Sequence, residues 1–217
     1  MKKYIPLTLA VSALLLSGCM STTISSADAD KLTAKVVQAS FKSKGIATVD
    51  RLQQDEANRL CSAADVAGQP LNADMAQAIQ DAQMKTIQWP ADGKYLGDWV
   101  KGEKIAASGK GLTWKDKAGS TNGGNCYNCH QIDKAQVSYG NLGPSLYNYG
   151  KLRGVSDPAS KESKAIVEYT WGKLWNARAY SACTNMPRVG HNGILDAEQI
   201  KHVMALLLDP QSPVNAN

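Results

Sequence analysis

The chain has 217 residues, of which 43% are hydrophobic and 20% are charged, and its formal net charge is +5. This length allows one domain of ordinary size plus an extension, because a compact domain has roughly 100–200 residues. The small charge comes from scattered lysines and is not typical of a nucleic-acid-binding surface, so no nucleic-acid partner is expected.

The chain begins with a pattern typical of an export signal. Lys2 and Lys3 precede an apolar run over residues 5–16, which is too short to cross a bilayer but fits a signal-peptide core. The run ends at Leu16-Ser17-Gly18-Cys19, which resembles a bacterial lipoprotein box, in which the cysteine is acylated and becomes the new N-terminus. Ordinary cleavage after Ala29 is the alternative, because Ala27-Asp28-Ala29 is also a small-residue site.

We predict that residues 1–18 are a lipoprotein-type signal peptide and that Cys19 is acylated. Several acyl chains hold a protein at a membrane surface, whereas a single chain binds only marginally. Because Met20 rather than aspartate follows the cysteine, analogy with bacterial lipoproteins favours the outer membrane. The sequence therefore predicts a periplasmic protein with a lipid anchor in the outer membrane.

Residues 19–90 are predicted to be a tether followed by a helical extension. Ser21–Ala29 is small and polar, which indicates a flexible tether. Apolar side chains then recur among polar ones and predict helices near residues 34–43, 49–64 and 72–86. Because each helix has few apolar residues per turn, we expect the extension to pack either on the C-terminal domain or on another subunit.

The C-terminal domain is predicted over residues 91–217, and its first helix begins after Asp98, which is a suitable N-cap. This helix runs to about Ser108 and contains Gly102. A glycine costs a helix about 1 kcal/mol relative to alanine, so we interpret Gly102 as a point of close crossing by another helix. Flexibility is the alternative interpretation.

The last helix of the domain is also visible in the sequence. Asp196 followed by Gln199 predicts a capping box, and apolar residues at helical spacing continue almost to Pro210. Proline cannot continue a helix, so the helix ends before it. Between the two helices, residues 109–124 are rich in Gly, Lys, Ser and Thr and predict a loop.

The most informative motif is Cys126-Tyr127-Asn128-Cys129-His130. Two thiols at this spacing, followed by histidine, are typical of covalent haem c attachment. Cys126 and Cys129 each add across one haem vinyl group, and His130 becomes the proximal iron ligand. A thioredoxin-like dithiol and half of a zinc site are the alternatives, but no second CxxC pair is present. The motif predicts one haem c and electron transfer.

The five cysteines divide into three groups. Cys19 is acylated or removed, and Cys126 and Cys129 hold the haem, which leaves Cys61 and Cys183. In an oxidising compartment this remaining pair predicts a disulfide that closes a loop of more than a hundred residues. Two unrelated thiols are the alternative.

Two terminal helices that bracket a CxxCH motif resemble the arrangement of class I cytochromes c. The resemblance covers about residues 97–209 and implies an all-α fold, with a class I cytochrome c-like domain after the N-terminal helical extension. It implies that the carbonyl of Pro144 accepts a hydrogen bond from Nδ1 of His130, which orients the ring. It also implies Met186 as the sixth iron ligand, with His191 or an open position as alternatives.

The remaining methionines and histidine receive structural interpretations. Met75, Met84 and Met204 each lie in a helical apolar pattern and are interpreted as core residues. His202, in the last helix, is interpreted as a surface residue. All five tryptophans are interpreted as haem-cavity wall or interface: Trp89, Trp99, Trp114, Trp171 and Trp175.

Several segments around these ligands resemble the SoxX family, the monohaem subunit of the thiosulfate-oxidising SoxAX complex. They are Gly124-Asn125-Cys126, Gly140-Asn141-Leu142-Gly143-Pro144-Ser145-Leu146, Tyr149-Gly150-Lys151-Leu152-Arg153-Gly154, Met186-Pro187-Arg188-Val189-Gly190 and Gly193-Ile194-Leu195. Two features depart from the family pattern. Val189 stands where many members carry an aromatic residue, and a lipoprotein signal is not a general feature of SoxX.

The resemblance to SoxX implies a heterodimer with the haem protein SoxA. That complex, an L-cysteine S-thiosulfotransferase, joins thiosulfate oxidatively to a cysteine of the carrier protein SoxYZ and releases two electrons. The substrate chemistry takes place on SoxA, so this chain has no implied catalytic residues and passes electrons to an acceptor such as a small cytochrome. A free-standing periplasmic electron-shuttle cytochrome c is the alternative, although the long N-terminal extension favours a subunit.

Overall fold

The computed structural model describes residues 24–216, so the predicted signal peptide and Cys19 lie outside the described residues. Within this range the only β pairing is an isolated bridge between Lys44 and Ala47. The helices are α1 (Ser26–Ser40), α2 (Glu56–Val66), α3 (Ala73–Met84), α4 (Trp99–Ala107), α5 (Lys164–Trp175) and α6 (Ala197–Leu208). The described part of the chain is therefore all-α, as predicted.

The chain divides into two compact units between Lys42 and Ser43, and α1 belongs to the first. The Ser25 hydroxyl accepts a hydrogen bond from the Asp28 N–H and caps α1, which has no buried residue. The predicted tether over Ser21–Ala29 is therefore wrong from Ser26 onward, because a good N-cap starts a helix there. The predicted domain division after residue 90 stays a prediction.

In the second unit, α2 and α3 are short helices with polar caps. Asp55 caps α2 by accepting from the Asn58 N–H at 2.8 Å, and Asn72 caps α3 by accepting from the Met75 N–H at 2.8 Å. The helix predicted near residues 49–64 therefore starts later, and residues 49–52 form a separate 3-10 turn. Both helices end within two residues of their predicted ends.

The two helices pack on the C-terminal part of their own chain, which is one of the two surfaces that the sequence allowed. Ala57 of α2 and Ile79 of α3 are buried in a small hydrophobic cluster together with Ala182. Met75 and Met84, by contrast, are 38% and 37% exposed, so their interpretation as core residues is wrong. Met84 is five residues after Ile79, about 140° around the helix, and so faces away from the buried cluster, whereas Met75 is on the side of Ile79 but lies in the exposed first turn.

Helices α4 and α6 cross closely, and glycine makes the crossing possible. A Cβ at Gly102 would overlap the carbonyl oxygen of His202, so the predicted reason for a glycine in this helix is confirmed. The Asp98 N–H donates to Nδ1 of His202 at 2.9 Å. His202 is therefore half-buried at the crossing, and its interpretation as a surface residue is wrong.

The caps and core of α6 agree with the sequence. Asp196 and Gln199 form the predicted capping box, with both reciprocal hydrogen bonds present. Met204 has no exposed surface and is a core residue as predicted. The helix ends at Leu208, before Pro210.

The sequence did not predict α5, which packs on α6 in the main core. Its two tryptophans, Trp171 and Trp175, are buried and stack with ring centroids 5.9 Å apart. Their indole N–H groups donate to the carbonyls of Gln88 and Thr86, which holds the segment after α3 against α5. The helix was missed because it is buried on several sides and so lacks a clear amphipathic pattern.

Candidate functional site

The Cys-Tyr-Asn-Cys-His motif forms one tight turn. Residues Cys126–Asn128 are a 3-10 turn, and the N–H groups of Cys129 and His130 both donate to the Cys126 carbonyl, at 3.1 and 3.0 Å. Cys126 and Cys129 are free thiols. In the chain without haem, burial raises the pKa of the Cys126 thiol to about 11. Two thiols and an imidazole thus project from five consecutive residues.

The orientation of His130 follows from its neighbour Pro144. Nδ1 of His130 lies 2.7 Å from the Pro144 carbonyl oxygen. A carbonyl can only accept, so Nδ1 carries the proton and Nε2 keeps its lone pair for a metal. The hydrogen bond implied by the class I resemblance is therefore present in the structure.

Glycine at position 143 lets the loop approach the imidazole. A Cβ on Gly143 would overlap Cε1 of His130. The Gly143 N–H also donates to the Cys129 carbonyl at 2.8 Å, which ties the loop to the cysteine turn. The ring of His130 is thus confined by the backbone on one side and oriented by Pro144.

Met186 lies in the loop between α5 and α6. It is partly buried and packs against the main hydrophobic core, and its N–H donates to Oγ1 of Thr184 at 3.2 Å. His191, the alternative ligand, is exposed, and its N–H donates to the Trp175 carbonyl. Partial desolvation of the imidazole by its neighbours, together with the charge of Arg188, lowers the pKa of His191. Iron ligation by Met186 stays a prediction.

A disulfide joins Cys61 to Cys183, with their Cα atoms 5.4 Å apart. The disulfide predicted from the cysteine count, between Cys61 and Cys183, is therefore present in the structure. Cys61 lies on α2, whereas Cys183 lies three residues before Met186. The bond connects the extension directly to the loop that contains Met186.

A polar cluster beside this loop was not recognised in the sequence. Arg188 Nη2 lies 2.5 Å from Asp55 Oδ2, and Arg178 Nη1 lies 3.7 Å from Asp55 Oδ1. Burial raises the pKa of Asp55, but hydrogen bonds from Asn58 and Arg188 together with the two arginine charges outweigh this effect and leave the pKa lowered. Sequence reasoning did not single out Asp55, because more than a hundred residues separate it from both arginines.

The donor set fits a covalently attached haem c. The free thiols of Cys126 and Cys129 match the two vinyl groups, and His130 presents an unprotonated Nε2 toward a metal. A zinc site fits less well, since residues 24–216 contain no cluster of three or more His, Cys, Asp or Glu side chains suited to a metal. The all-α fold and this site define a haem protein of the electron-transfer class.

Comparison with known proteins agrees with this class. Residues 100–209 match the Cytochrome c family. An uncharacterized lipoprotein of Aquifex aeolicus (strain VF5) is 37% identical over 163 residues, which cover 75% of this chain and 73% of that protein. The chain belongs to the cytochrome c family, and membership implies covalently bound haem c.

None of the helices within residues 24–216 is long and apolar enough to cross a bilayer.

Proposed function

We propose that this cytochrome is the SoxX subunit of a SoxAX complex and carries a single haem c with His130 and Met186 as axial ligands. The observation that carries this proposal is the location of the SoxX-like segments. They include the cysteine turn, the loop with Gly143 and Pro144, and the loop with Met186, which are the parts of the chain that form the candidate site.

The residues of the site have distinct roles in one-electron transfer, which is the chemistry that haem c supplies when bound. His130 donates from Nε2, and its hydrogen bond to Pro144 makes it a stronger donor. Met186 supplies a thioether, which favours Fe(II) and raises the potential relative to two imidazoles. A filled sixth position argues against small-molecule chemistry at the iron, so substrate chemistry falls to SoxA.

An exposed apolar loop supports the proposed contact with SoxA. Val137, Tyr139 and Leu142 are 95%, 47% and 69% exposed. The Gly140 N–H donates to the Tyr127 carbonyl at 2.8 Å, so this loop lies against the cysteine turn. Single exposed apolar residues are common, but three in one short loop beside the haem attachment point suit a protein interface.

We also propose that the mature protein starts at an acylated Cys19 and is anchored to the outer membrane from the periplasm. The lipoprotein box supports acylation, and so does the name of the Aquifex aeolicus relative. A Cys19→Ala variant is expected to leave the membrane fraction, while Thr22→Ala, a change three residues further along that keeps the cysteine, is expected to stay there. Mass spectrometry of the mature chain would show the acyl groups and one haem.

The function is tested by purifying the exported protein from its native host. We expect it to copurify with a second haem protein and to become reduced when thiosulfate and the carrier protein are added. Recovery as a monomer that thiosulfate with carrier protein does not reduce would contradict the SoxX assignment.

One structural observation favours the alternative, a free-standing electron shuttle. The part of the extension over residues 43–90 packs on the C-terminal part of its own chain through the Cys61–Cys183 disulfide and the hydrogen bonds of Trp171 and Trp175. This part of the extension therefore does not by itself require a partner. A shuttle would be reduced by small cytochromes of its host and would show no stable complex at any stage of purification.

A further inference from the structure

Helix α2 contacts both ends of the short segment that contains Met186. At one end, Cys61 of α2 is bonded to Cys183. At the other end, Asp55, the N-cap of α2, is paired with Arg188. Met186 therefore lies between two attachments to the same helix, one covalent and one ionic.

The ionic attachment is largely shielded from water on the arginine side. The Arg188 side chain is 8% exposed and that of Arg178 is 13% exposed, whereas that of Asp55 is 40% exposed. Such shielding strengthens a charge-assisted hydrogen bond relative to a fully exposed pair. Two guanidinium groups thus share one carboxylate, and within residues 24–216 no other carboxylate forms an ion pair with either of them.

The orientation of Arg188 is also set by the extension. Its Nη1 donates to Oε1 of Gln83 at 3.1 Å, and the same oxygen accepts from Nδ2 of Asn176 at 2.9 Å. The Arg188 carbonyl accepts from the Asn192 N–H, which shapes the loop on the other side. Without the charge of Asp55, the guanidinium groups of Arg188 and Arg178 would repel each other with no shared counterion.

We propose that Asp55 is a positioning residue for the haem iron: its ion pair with Arg188 keeps the Met186 loop against the haem side of the domain. This inference rests on the proposed ligation by Met186. In this proposal Asp55 acts through its ion pair with Arg188 and not as a ligand of the iron. The N–H of Met186 donates only locally, to Oγ1 of Thr184 two residues away, so the contacts of Cys183 and Arg188 connect this segment to α2.

The test uses imidazole as a competing ligand for the ferric iron of the full haem-loaded protein. In Asp55→Asn the asparagine still caps α2, because Asn and Asp are equally good N-caps, but the negative charge is lost. If the charge holds the loop, the fraction of molecules in which Met186 has left the iron is larger in Asp55→Asn than in the wild type. Imidazole then binds the variant more tightly, in proportion to that fraction. Because Asp55 is partly exposed and its charge is screened by solvent, we expect an apparent Kd about threefold lower, which corresponds to about 0.7 kcal/mol.

Glu56→Gln is the matched control. Glu56 is the next residue of the same helix and pairs with Arg59 instead, at 2.6 Å. Glu56 forms no ion pair with Arg178 or Arg188. The imidazole affinity and the midpoint potential of the Glu56→Gln variant should therefore equal those of the wild type. The conservative variant Asp55→Glu keeps the charge, and its apparent Kd for imidazole should be closer to that of the wild type than to that of Asp55→Asn.

Arg188→Gln tests the same contact from the loop and serves if Asp55→Asn does not fold. It should also tighten imidazole binding, and the double variant Asp55→Asn/Arg188→Gln should bind little more tightly than either single variant, because both remove one interaction. Additive effects of the two substitutions would overturn the proposal.

The outcomes separate this inference from the assignment of Met186. A wild-type protein that lacks the charge-transfer band of a methionine–iron bond would overturn both. A wild type with that band, combined with unchanged imidazole affinity in Asp55→Asn and Arg188→Gln, would overturn only the role of Asp55.

Discussion

The disulfide between Cys61 and Cys183 ties helix α2 to a point three residues before Met186. It closes a loop between positions 122 residues apart in sequence. Its loss therefore has two expected effects, one on global stability and one on the iron site.

The double variant Cys61→Ser/Cys183→Ser removes the bond without leaving a free thiol. Loop-closure entropy predicts a loss of at most about 4–5 kcal/mol in the free energy of unfolding, measured by denaturant titration. We also expect a weaker methionine–iron charge-transfer absorption and a shifted midpoint potential. If the charge-transfer absorption and the midpoint potential both stay at wild-type values, the disulfide stabilises the fold without holding Met186.

The crossing of α4 and α6 predicts the effect of Gly102→Ala. Alanine normally favours a helix over glycine by about 1 kcal/mol, but here the new methyl group would overlap the His202 carbonyl. We expect a net loss of about 1–3 kcal/mol in the free energy of unfolding. Lys101→Ala, at an exposed position of the same helix, is the control and should change stability by less than about 0.5 kcal/mol. A stabilised Gly102→Ala variant would contradict the close crossing.

Gly143→Ala is expected to disturb the proximal ligand. The methyl group would displace the ring of His130 and weaken its hydrogen bond to Pro144, so the imidazole becomes a poorer donor to Fe(III). The midpoint potential should rise by up to about 60 mV, which is a tenfold change for a one-electron couple. Redox titration of Gly143→Ala and of the wild type measures this shift, and Asn141→Ala, at an exposed position in the same loop, is the control. Equal potentials would mean that the ring tolerates the methyl group.

Acid stability provides a prediction for Asp55. Its pKa is lowered in the folded protein, so its contribution to stability is complete above the unfolded pKa, about 3.9, and is lost as pH falls through the folded pKa. Because the carboxylate is 40% exposed, we expect this contribution to be below about 1 kcal/mol. The difference in stability between Asp55→Asn and the wild type should therefore be constant above about pH 5 and should shrink as pH falls below about 4 toward the lowered folded pKa. Parallel curves from pH 7 to pH 3 would show that the folded pKa is not lowered.

Much of the site could be predicted from local sequence. The Cys126–His130 motif follows from the chemistry of thioether formation, and the caps at Asp98 and Asp196 depend only on neighbouring backbone groups. The odd position of Gly102 indicated a helix crossing because glycine in a helix needs a compensating contact. The pairing of Cys61 with Cys183 followed from the cysteine count.

Other features depend on contacts between distant parts of the chain and were decided only by the tertiary structure. α5 has no clear polar face because its surroundings are protein on several sides, so periodicity could not reveal it. The sequence likewise left open where the extension packs, and it gave no sign that Asp55 lies between Arg178 and Arg188. Residue type and spacing determined which groups can attach a haem, because that chemistry is local. Folding in three dimensions decided which residues hold those groups in place, because an ion pair or a buried helix depends on neighbours that are remote in sequence.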